Sequence, residues 1–244
     1  YTPAAMMSQA IIDATETSGM GLTHLPTLYM TAGFDGAPLD ERQRRFANSV
    51  ESLYEIVTGI AETPDRRVGL AAHSLRAVPA KALDDLVKAG QGRPVHIHIA
   101  EQTQEVDDAV RFTGQRPVAW LLDNADIAAH WSLVHATHMD ADETARLAKT
   151  EANVVLCPTT EANLGDGIFP LVTFAENGGS IAIGTDSHVS VSPWEELRWL
   201  DYGQRLGQRT RVPLVTQKVA HSGRAIFDRL QQSAPHVTGR KVGR

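Results

Sequence analysis

The chain has 244 residues, a formal net charge of −6 and 42% hydrophobic residues. This length suits one large domain or two small ones, and the apolar content supports a sizeable core, which excludes a disordered protein. The mild acidity and the lack of a basic patch argue against a nucleic-acid partner, and no apolar run reaches transmembrane length, which argues against a membrane partner. The single cysteine, Cys157, excludes an internal disulfide framework and fits a reducing compartment, the cytoplasm.

The apolar pattern predicts short strands that alternate with helices along the whole chain. The predicted helices are 3–18, 40–61 with Asp40 as N-cap, 79–89, 103–112, 117–122, 140–149 with Asp140 as N-cap, a segment ending near 177, 193–206 and about 214–231. The predicted strands are 22–30, interrupted by Pro26, then 68–73, 95–100, 132–137, 153–158 and 180–186. A long loop is expected at 159–169.

Six apolar strands that each lead into a helix predict a parallel sheet with helices outside it. Such an α/β arrangement suits either a doubly wound sheet or most of an eight-unit barrel. No linker or internal repeat interrupts the pattern, so residues 1–244 are interpreted as a single domain.

Ionisable residues lie at the carboxyl ends of several predicted strands. They are His73, then His98 with Glu101 just beyond it, then His135, and finally Asp186. The carboxyl ends of parallel strands meet at one rim, so these side chains are expected to share a site. Imidazole and carboxylate ligands with a free carboxylate are the set that a catalytic zinc requires.

Each of these residues also has a simpler explanation when it is taken alone. His98 and His135 could be hydrogen-bonded strand histidines, Asp186 could cap a turn, and Glu101 could be a carboxylate favoured by a helix dipole. Their common position at strand ends favours the site. His96, His138 and His188 are weaker candidates, and Cys157 is predicted to be a buried strand cysteine rather than a nucleophile.

Three motifs resemble the amidohydrolase superfamily in its deaminase branch. They are His98-Ile-Ala-Glu101, a strand that ends at His135, and Gly184-Thr185-Asp186-Ser187-His188, which resemble the fifth, sixth and eighth strands of that family's barrel. Longer strings at 160–170 and 195–205 are more specific, and the resemblance extends over the whole chain. It implies a TIM-like (β/α)8 metallo-dependent hydrolase barrel, of which this chain would contain about strands three to eight.

The resemblance implies a catalytic role for four matching residues. His98 and Asp186 would ligate one divalent metal ion, usually zinc, and Asp186 would also take a proton from the bound water. Glu101 would carry protons to the substrate nitrogen and then to the departing ammonia. His135 would orient or stabilise the attacking hydroxide.

The resemblance also implies a small-molecule substrate, N-formimino-L-glutamate, whose linear amidine would lose ammonia by hydrolysis in histidine degradation. His73 and Arg76 would contact its glutamate part, because a guanidinium binds a carboxylate through two parallel hydrogen bonds. A purine or pyrimidine deaminase is a second interpretation, against which Arg76 argues since a neutral base needs no guanidinium. A catalytically silent, truncated α/β domain is a third.

One departure from the family pattern affects the expected metal site. Family members carry a His-x-His pair on the first barrel strand, and no such strand precedes Tyr1. The chain is therefore interpreted as an internal fragment without the first two strands and the flanking small β-domain, and metal binding by it alone is expected to be weak or absent. The sequence does not fix the oligomeric state, and a homodimer is one option.

Overall fold

The computed structural model describes residues 3–214 and 219–242 of the chain. They form two compact units, of which the first runs to Ile97 and includes Thr238–Lys241, and the second runs from His98 to Val237. The boundary falls within strand β5 (Val95–Ile99).

The first unit consists of short parallel strands followed by helices. Its elements are α1 (Pro3–Ser18), β1 (Leu22–His24), β2 (Thr27–Leu28), α2 (Val50–Gly59), β3 (Arg66–Val68), β4 (Leu70–Ala72), α3 (Ala80–Gly90) and the start of β5. Strand β1 pairs with β3, while β4 lies between β2 and β5. All of these pairings are parallel, and they place Leu28 opposite Ala72 and Ala71 opposite His96.

Proline and glycine divide the first two predicted strands. Pro26 has no N–H to donate, but its carbonyl accepts a hydrogen bond from the nitrogen of Ala71 at 2.9 Å. A Cβ on Gly69 would lie 2.5 Å from the carbonyl oxygen of Pro94, so this close approach of two backbones requires glycine. Each predicted strand is therefore two short strands, β1 with β2 and β3 with β4.

The predicted helix over 40–61 is wrong in its first half. The helix α2 begins only at Val50, where Ser49 and Ser52 form a capping box, and residues 40–48 contain one short 3-10 turn. The reason lies in Asn48, whose side chain accepts from the nitrogen of Tyr29 at 2.8 Å and donates to the carbonyl of Thr27 at 2.7 Å. These bonds hold the segment against strand β2 in place of helical bonds.

The second unit repeats the parallel β/α arrangement. Its elements are the end of β5, α4 (Thr103–Thr113), α5 (Pro117–Asn124), β6 (Trp131–His135), α6 (Ala141–Ala148), β7 (Asn153–Leu156), α7 (Pro158–Leu164), α8 (Leu171–Glu176), β8 (Ser180–Ile183), α9 (Pro193–Gln208) and α10 (Ser222–Thr238). Strand β7 lies between β6 and β8, in parallel register. The predicted α/β class with parallel strands is confirmed in both units.

The core of the second unit lies along these strands. Leu133, Val154, Leu156 and Ile181 are fully buried, and burial of one such side chain contributes about 1.5–3 kcal/mol to folding. Helix α6 begins as predicted, because Asp140 accepts from the nitrogen of Glu143 and completes a capping box.

The loop predicted at 159–169 is wrong in its first half, because α7 starts directly after β7 and ends at Leu164, and it is confirmed over 165–169. Pro158 occupies the first helical turn, and the buried carboxylate of Glu196 accepts a hydrogen bond from the nitrogen of Thr159 at 2.9 Å. Cys157 is buried as predicted, but it is the N-cap of α7 and not a strand residue. The predicted helix at about 214–231 falls partly on residues 215–218, which lie outside the described residues, and α10 extends beyond it to Thr238.

Candidate functional site

Three carboxylates surround the imidazole of His135, the last residue of β6. Nε2 of His135 lies 3.5 Å from Oε1 of Glu101 and 3.9 Å from Oδ2 of Asp186. On the other side of the ring, Nδ1 lies 3.2 Å from Oε1 of Glu161. The side chains of Glu101 and Asp186 are 26% and 32% exposed, whereas those of His135 and Glu161 are buried. The Nε2 side of the ring therefore faces the two carboxylates that solvent reaches.

His98 lies beside this cluster on β5. Its ring stacks on that of His135, with centroids 5.7 Å apart and an angle of 20° between the planes. Its strand alternates buried and half-buried residues, because Val95, Ile97 and Ile99 face the core. Of the predicted residues, the structure brings together His98, Glu101, His135 and Asp186.

The carboxylates change the acid–base behaviour of His135. Burial by itself lowers the pKa of the imidazole, but the hydrogen bond with Glu161 and the charges of Glu101, Glu161 and Asp186 together outweigh it, so the pKa is raised. The acidic cluster therefore favours the protonated form of this imidazole more than water does. Such a group can hold negative charge that develops on a nearby oxygen.

Left-handed backbone conformations concentrate at the same strand ends. Seven described residues other than glycine have positive φ, and two of them, Gln91 and Arg209, are helix C-caps. The other five lie at or just after the ends of β5, β6 and β8 and have φ between 44° and 69°; they are Ala100, His135, Ala136, Asp186 and His188. Each such conformation costs about 1–3 kcal/mol and persists only where surrounding contacts enforce it.

Side chains on helices α4 and α7 supply such contacts for the turns after β5 and β8. Both carboxylate oxygens of Glu105 in α4 accept backbone hydrogen bonds, from the nitrogens of Ala100 and Glu101, at 3.0 Å each. The hydroxyl of Thr160 in α7 donates to the carbonyl of Thr185 at 3.2 Å and accepts from the nitrogen of Ser187 at 3.3 Å. The turns that carry Glu101 and Asp186 are therefore fixed from outside the cluster.

The turn after β6 is held by an ion-pair network. Arg116 donates to the carbonyl of His138, and its Nε donates to Oε2 of the buried Glu143 at 2.7 Å. Glu143 also accepts from the nitrogen of Ala119 at 3.0 Å. The network joins the start of α5 and the start of α6 to the loop that follows His135.

His73 and Arg76, the predicted substrate-binding residues, lie in the first unit. The ring of His73 meets that of Tyr29 edge to face, with centroids 4.6 Å apart. Nη1 of Arg76 donates to the carbonyl of Ala32 at 2.9 Å, and the carbonyl of Arg76 accepts from the hydroxyl of Thr31. Both residues are half-buried.

Two acidic residues of this site were missed in the sequence. Glu161 falls in the segment that the sequence predicts as a loop, and the signal for α7 would have been Pro158 in a first helical turn directly after a strand. Glu105 occupies the third position of α4, from which a glutamate side chain can reach back to backbone N–H groups that precede the helix. The contact of Glu105 with the preceding backbone could therefore have been predicted from its place in the sequence.

The described residues do not by themselves form a catalytic metal site. Within 3–214 and 219–242, no three His, Cys, Asp or Glu side chains are arranged to hold a metal ion. His98 and Asp186 offer two ligands at most, whereas a catalytic zinc normally has three from the protein. The thiol of Cys157 is no substitute, because burial and then the charge of Glu161 raise its pKa well above the usual range.

The fold and the strand-end site place this chain in a known class of enzymes. It belongs to the Amidohydrolase family, which it matches over residues 3–212. All of this chain aligns, at 45% identity, with 54% of formimidoylglutamate deiminase from Pseudomonas aeruginosa.

Solved structures agree with this assignment. The crystal structure of an amidohydrolase from Brucella melitensis matches with a TM-score of 0.94 and 44% identity, over 98% of this chain and 54% of that one. An adenosine deaminase from Xanthomonas campestris, solved with bound zinc, matches with a TM-score of 0.72 and 19% identity, over 92% of this chain and 49% of that one, and shows the fold alone.

These matches confirm the predicted fold, a TIM-like amidohydrolase barrel of which this chain is a part. The chain spans about half the length of the relatives it matches, 54% for the deiminase. In the described part of the chain, no helix combines the length and the apolarity needed to cross a bilayer.

Proposed function

We propose that the whole protein hydrolyses N-formimino-L-glutamate to N-formyl-L-glutamate and ammonia. The observation that carries the proposal is the pair of partly exposed carboxylates, Glu101 and Asp186, that face one nitrogen of His135. The 45% identity with a formimidoylglutamate deiminase over the whole chain supports the choice of substrate.

The side chains of the cluster suit the proton transfers of this reaction. Water adds to the formimino carbon, so one of its protons must leave, and we assign its acceptance to the carboxylate of Asp186. Nitrogen departs readily only when protonated, and Glu101 delivers the proton to it, acting first as base and then as acid. The positive charge favoured on His135 stabilises the oxygen that becomes negative during attack.

The substrate's two carboxylates require cationic or polar partners, and we assign His73 and Arg76 to its glutamate part. A guanidinium offers planar paired donors that match a carboxylate. Nη1 of Arg76 donates to the carbonyl of Ala32, and the side chain is half-buried, which limits the conformations that the guanidinium can adopt.

We also propose that the whole protein holds one divalent metal ion, zinc, with His98 and Asp186 as two of its ligands. The presence of zinc in a structural neighbour with the same fold supports this choice. Metal analysis of the purified full-length protein tests it. We expect about one zinc ion per chain in the wild type and a lower zinc content in His98→Ala. An unchanged zinc content in that variant would contradict the assignment.

The remaining parts of the proposal concern the setting of the enzyme. We infer a cytoplasmic enzyme of histidine degradation that acts on a small molecule, and a homodimer remains a prediction. The family match continues across the boundary of the two units, from residue 3 to residue 212, which supports the interpretation of the chain as a single incomplete barrel domain.

The decisive experiment is the Glu101→Gln substitution in the full-length protein. Ammonia release from N-formimino-L-glutamate is expected to fall by about 100-fold or more, because the amide cannot carry a proton between two sites. Zinc content should stay at the wild-type level, and Glu151→Gln, at an exposed position, serves as the control. Wild-type activity in Glu101→Gln would refute its role. A wild-type enzyme that deaminates a purine nucleoside but not N-formimino-L-glutamate would refute the substrate.

A further inference from the structure

Glu161 is a buried carboxylate for which the proposed reaction has so far no use. It is 5% exposed and lies in the first turn of α7, a few residues after the end of β7. A buried carboxylate is costly unless hydrogen bonds satisfy it, so its partners indicate why it is there.

One oxygen of Glu161 accepts hydrogen bonds from two different elements. Oε1 lies 2.9 Å from the backbone nitrogen of Cys157, at the N-cap of α7, and 3.2 Å from Nδ1 of His135, at the end of β6. The bond to Cys157 fixes the carboxylate, because the backbone N–H cannot rotate away. The fixed carboxylate then defines one position for the imidazole ring.

An ionised carboxylate only accepts hydrogen bonds, so Nδ1 of His135 must carry the hydrogen. This leaves Nε2 as the nitrogen that faces Glu101 and Asp186, at 3.5 and 3.9 Å. A ring turned over would place a carbon where Nε2 now lies. The orientation of His135 therefore depends on Glu161, on the far side of the ring from both partners.

We propose that Glu161 is a positioning residue, which fixes the ring of His135 with Nδ1–H directed at its carboxylate and Nε2 presented to the substrate side. This inference rests on the proposed function for its kinetic consequences, but the ring placement itself can be measured without any substrate.

Two substitutions in the full-length protein separate orientation from charge. Glu161→Gln keeps an amide oxygen, which the N–H of Cys157 directs to the same place, so Gln can still accept from Nδ1. Glu161→Ala removes the acceptor. For Glu161→Ala we expect kcat to fall about 100-fold with little change in KM, and Glu161→Gln should lose clearly less, because its amide oxygen still orients the ring although the negative charge is gone.

Nitrogen NMR of ¹⁵N-histidine-labelled protein gives the second readout. At alkaline pH, where the ring is neutral, the wild type and Glu161→Gln should show His135 protonated on Nδ1, with the signal assigned by its loss in His135→Asn. Glu161→Ala should shift the proton to Nε2 or give a mixture. Glu151→Gln is the control, since Glu151 is exposed, and it should leave the His135 signal unchanged.

Two results would overturn the proposal. One is an unchanged His135 tautomer in Glu161→Ala. The other is an equal loss of kcat in Glu161→Gln and Glu161→Ala, because the charge of Glu161 and not the orientation of His135 would then be responsible. If the wild type releases no ammonia from N-formimino-L-glutamate, the proposed function fails, while the NMR result still decides the role of Glu161.

Discussion

Glu105 holds the backbone of Glu101 through a hydrogen bond of 3.0 Å from the Glu101 nitrogen to Oε2 of Glu105. The other oxygen of Glu105 accepts from Ala100, whose φ of 49° turns the chain from β5 toward α4. The candidate proton carrier is thus placed by a second carboxylate that lies four residues further along the chain.

Removal of the Glu105 carboxylate, which holds the backbone of Ala100 and Glu101, should slow the reaction. In the full-length protein we expect Glu105→Ala to lower kcat by about 100-fold, because a shift of roughly 1 Å in a catalytic group has an effect of that size. Glu105→Gln keeps one acceptor and should lose less. Ammonia release under saturating substrate measures both effects.

The control for this substitution lies on the same helix. Asp107 is exposed on α4, so Asp107→Asn should leave kcat at the wild-type level. A Glu105→Ala variant that folds normally and keeps full kcat would show that the turn after β5 holds its shape without the carboxylate of Glu105.

Glu143 should be far more important for stability than an exposed ion pair nearby. Its carboxylate is buried and accepts from Arg116, from the nitrogen of Ala119 and from the nitrogen of Asp140. Glu143→Ala leaves these donors unsatisfied and is expected to lower the free energy of unfolding by about 3–5 kcal/mol. Chemical denaturation followed by circular dichroism measures the change.

Arg146 provides the comparison for Glu143 on the same helix, α6. It pairs with Asp123, and both side chains are more than one third exposed. Solvent screens such a pair, so Arg146→Ala should alter stability only slightly. Equal losses in the two variants would contradict the structural distinction between them.

Cys157 should be unreactive in the folded protein. Burial, followed by the charges of Glu161, Asp186, Glu196 and Glu101, raises the pKa of its thiol well above the ordinary range. A thiol-specific disulfide reagent at pH 8 is expected to modify it only after unfolding. Rapid modification of the native protein would contradict this burial.

The same shift predicts a loss of stability at alkaline pH. The unfolded thiol ionises above a pKa of about 8.5, whereas the folded thiol stays neutral, so the folded state binds more protons and stability falls as pH rises past that value. Cys157→Ala removes this contribution, and its free energy of unfolding should decline less steeply between about pH 8.5 and 10. Equal slopes in the two proteins would refute the prediction.

Gly167 should tolerate substitution less well than Gly165, two residues before it. Gly167 has a φ of 130°, and a Cβ there would lie 3.4 Å from Cγ2 of Thr137 and 3.5 Å from Cε1 of His138. Gly167→Ala is expected to cost about 1–3 kcal/mol of unfolding free energy.

Gly165, with a φ of 74°, has open space around its Cα. Gly165→Asn should therefore be tolerated, because asparagine adopts the left-handed region readily. Thermal unfolding of both variants tests the difference, and a larger loss at Gly165 would contradict it.

The sequence was sufficient to predict those strands and helix caps that depend on a regular spacing of residues along the chain. Alternation along β5 and the apolar runs of β6, β7 and β8 reveal strands, and the meeting of parallel strand ends then brings Glu101, His135 and Asp186 together. Asp140 was recognised as a helix cap because its capping partner lies only three residues away.

Contacts between distant residues could not be predicted in this way. Helix α7 depends on Glu196, which accepts from Thr159 across 37 positions of sequence. The segment before α2 is held by bonds of Asn48 to residues about 20 positions earlier, which override its helical pattern. Glu161 acquires its partner His135 only when β6 and β7 pair, so no local pattern reveals the contact.

The left-handed turns after β5, β6 and β8 have a consequence for genetic screens of the full-length gene. Each turn is restrained by a residue outside the charged cluster, namely Glu105, Arg116 and Thr160. Inactivating substitutions should therefore form a second group on helices α4 and α7 and at the start of α5, among residues that never meet the substrate. Variants of Glu105 and Thr160 should still be produced as folded protein, so a screen that scores abundance alone would overlook them, whereas loss of Arg116 leaves the buried Glu143 without its ion-pair partner and should lower abundance as well.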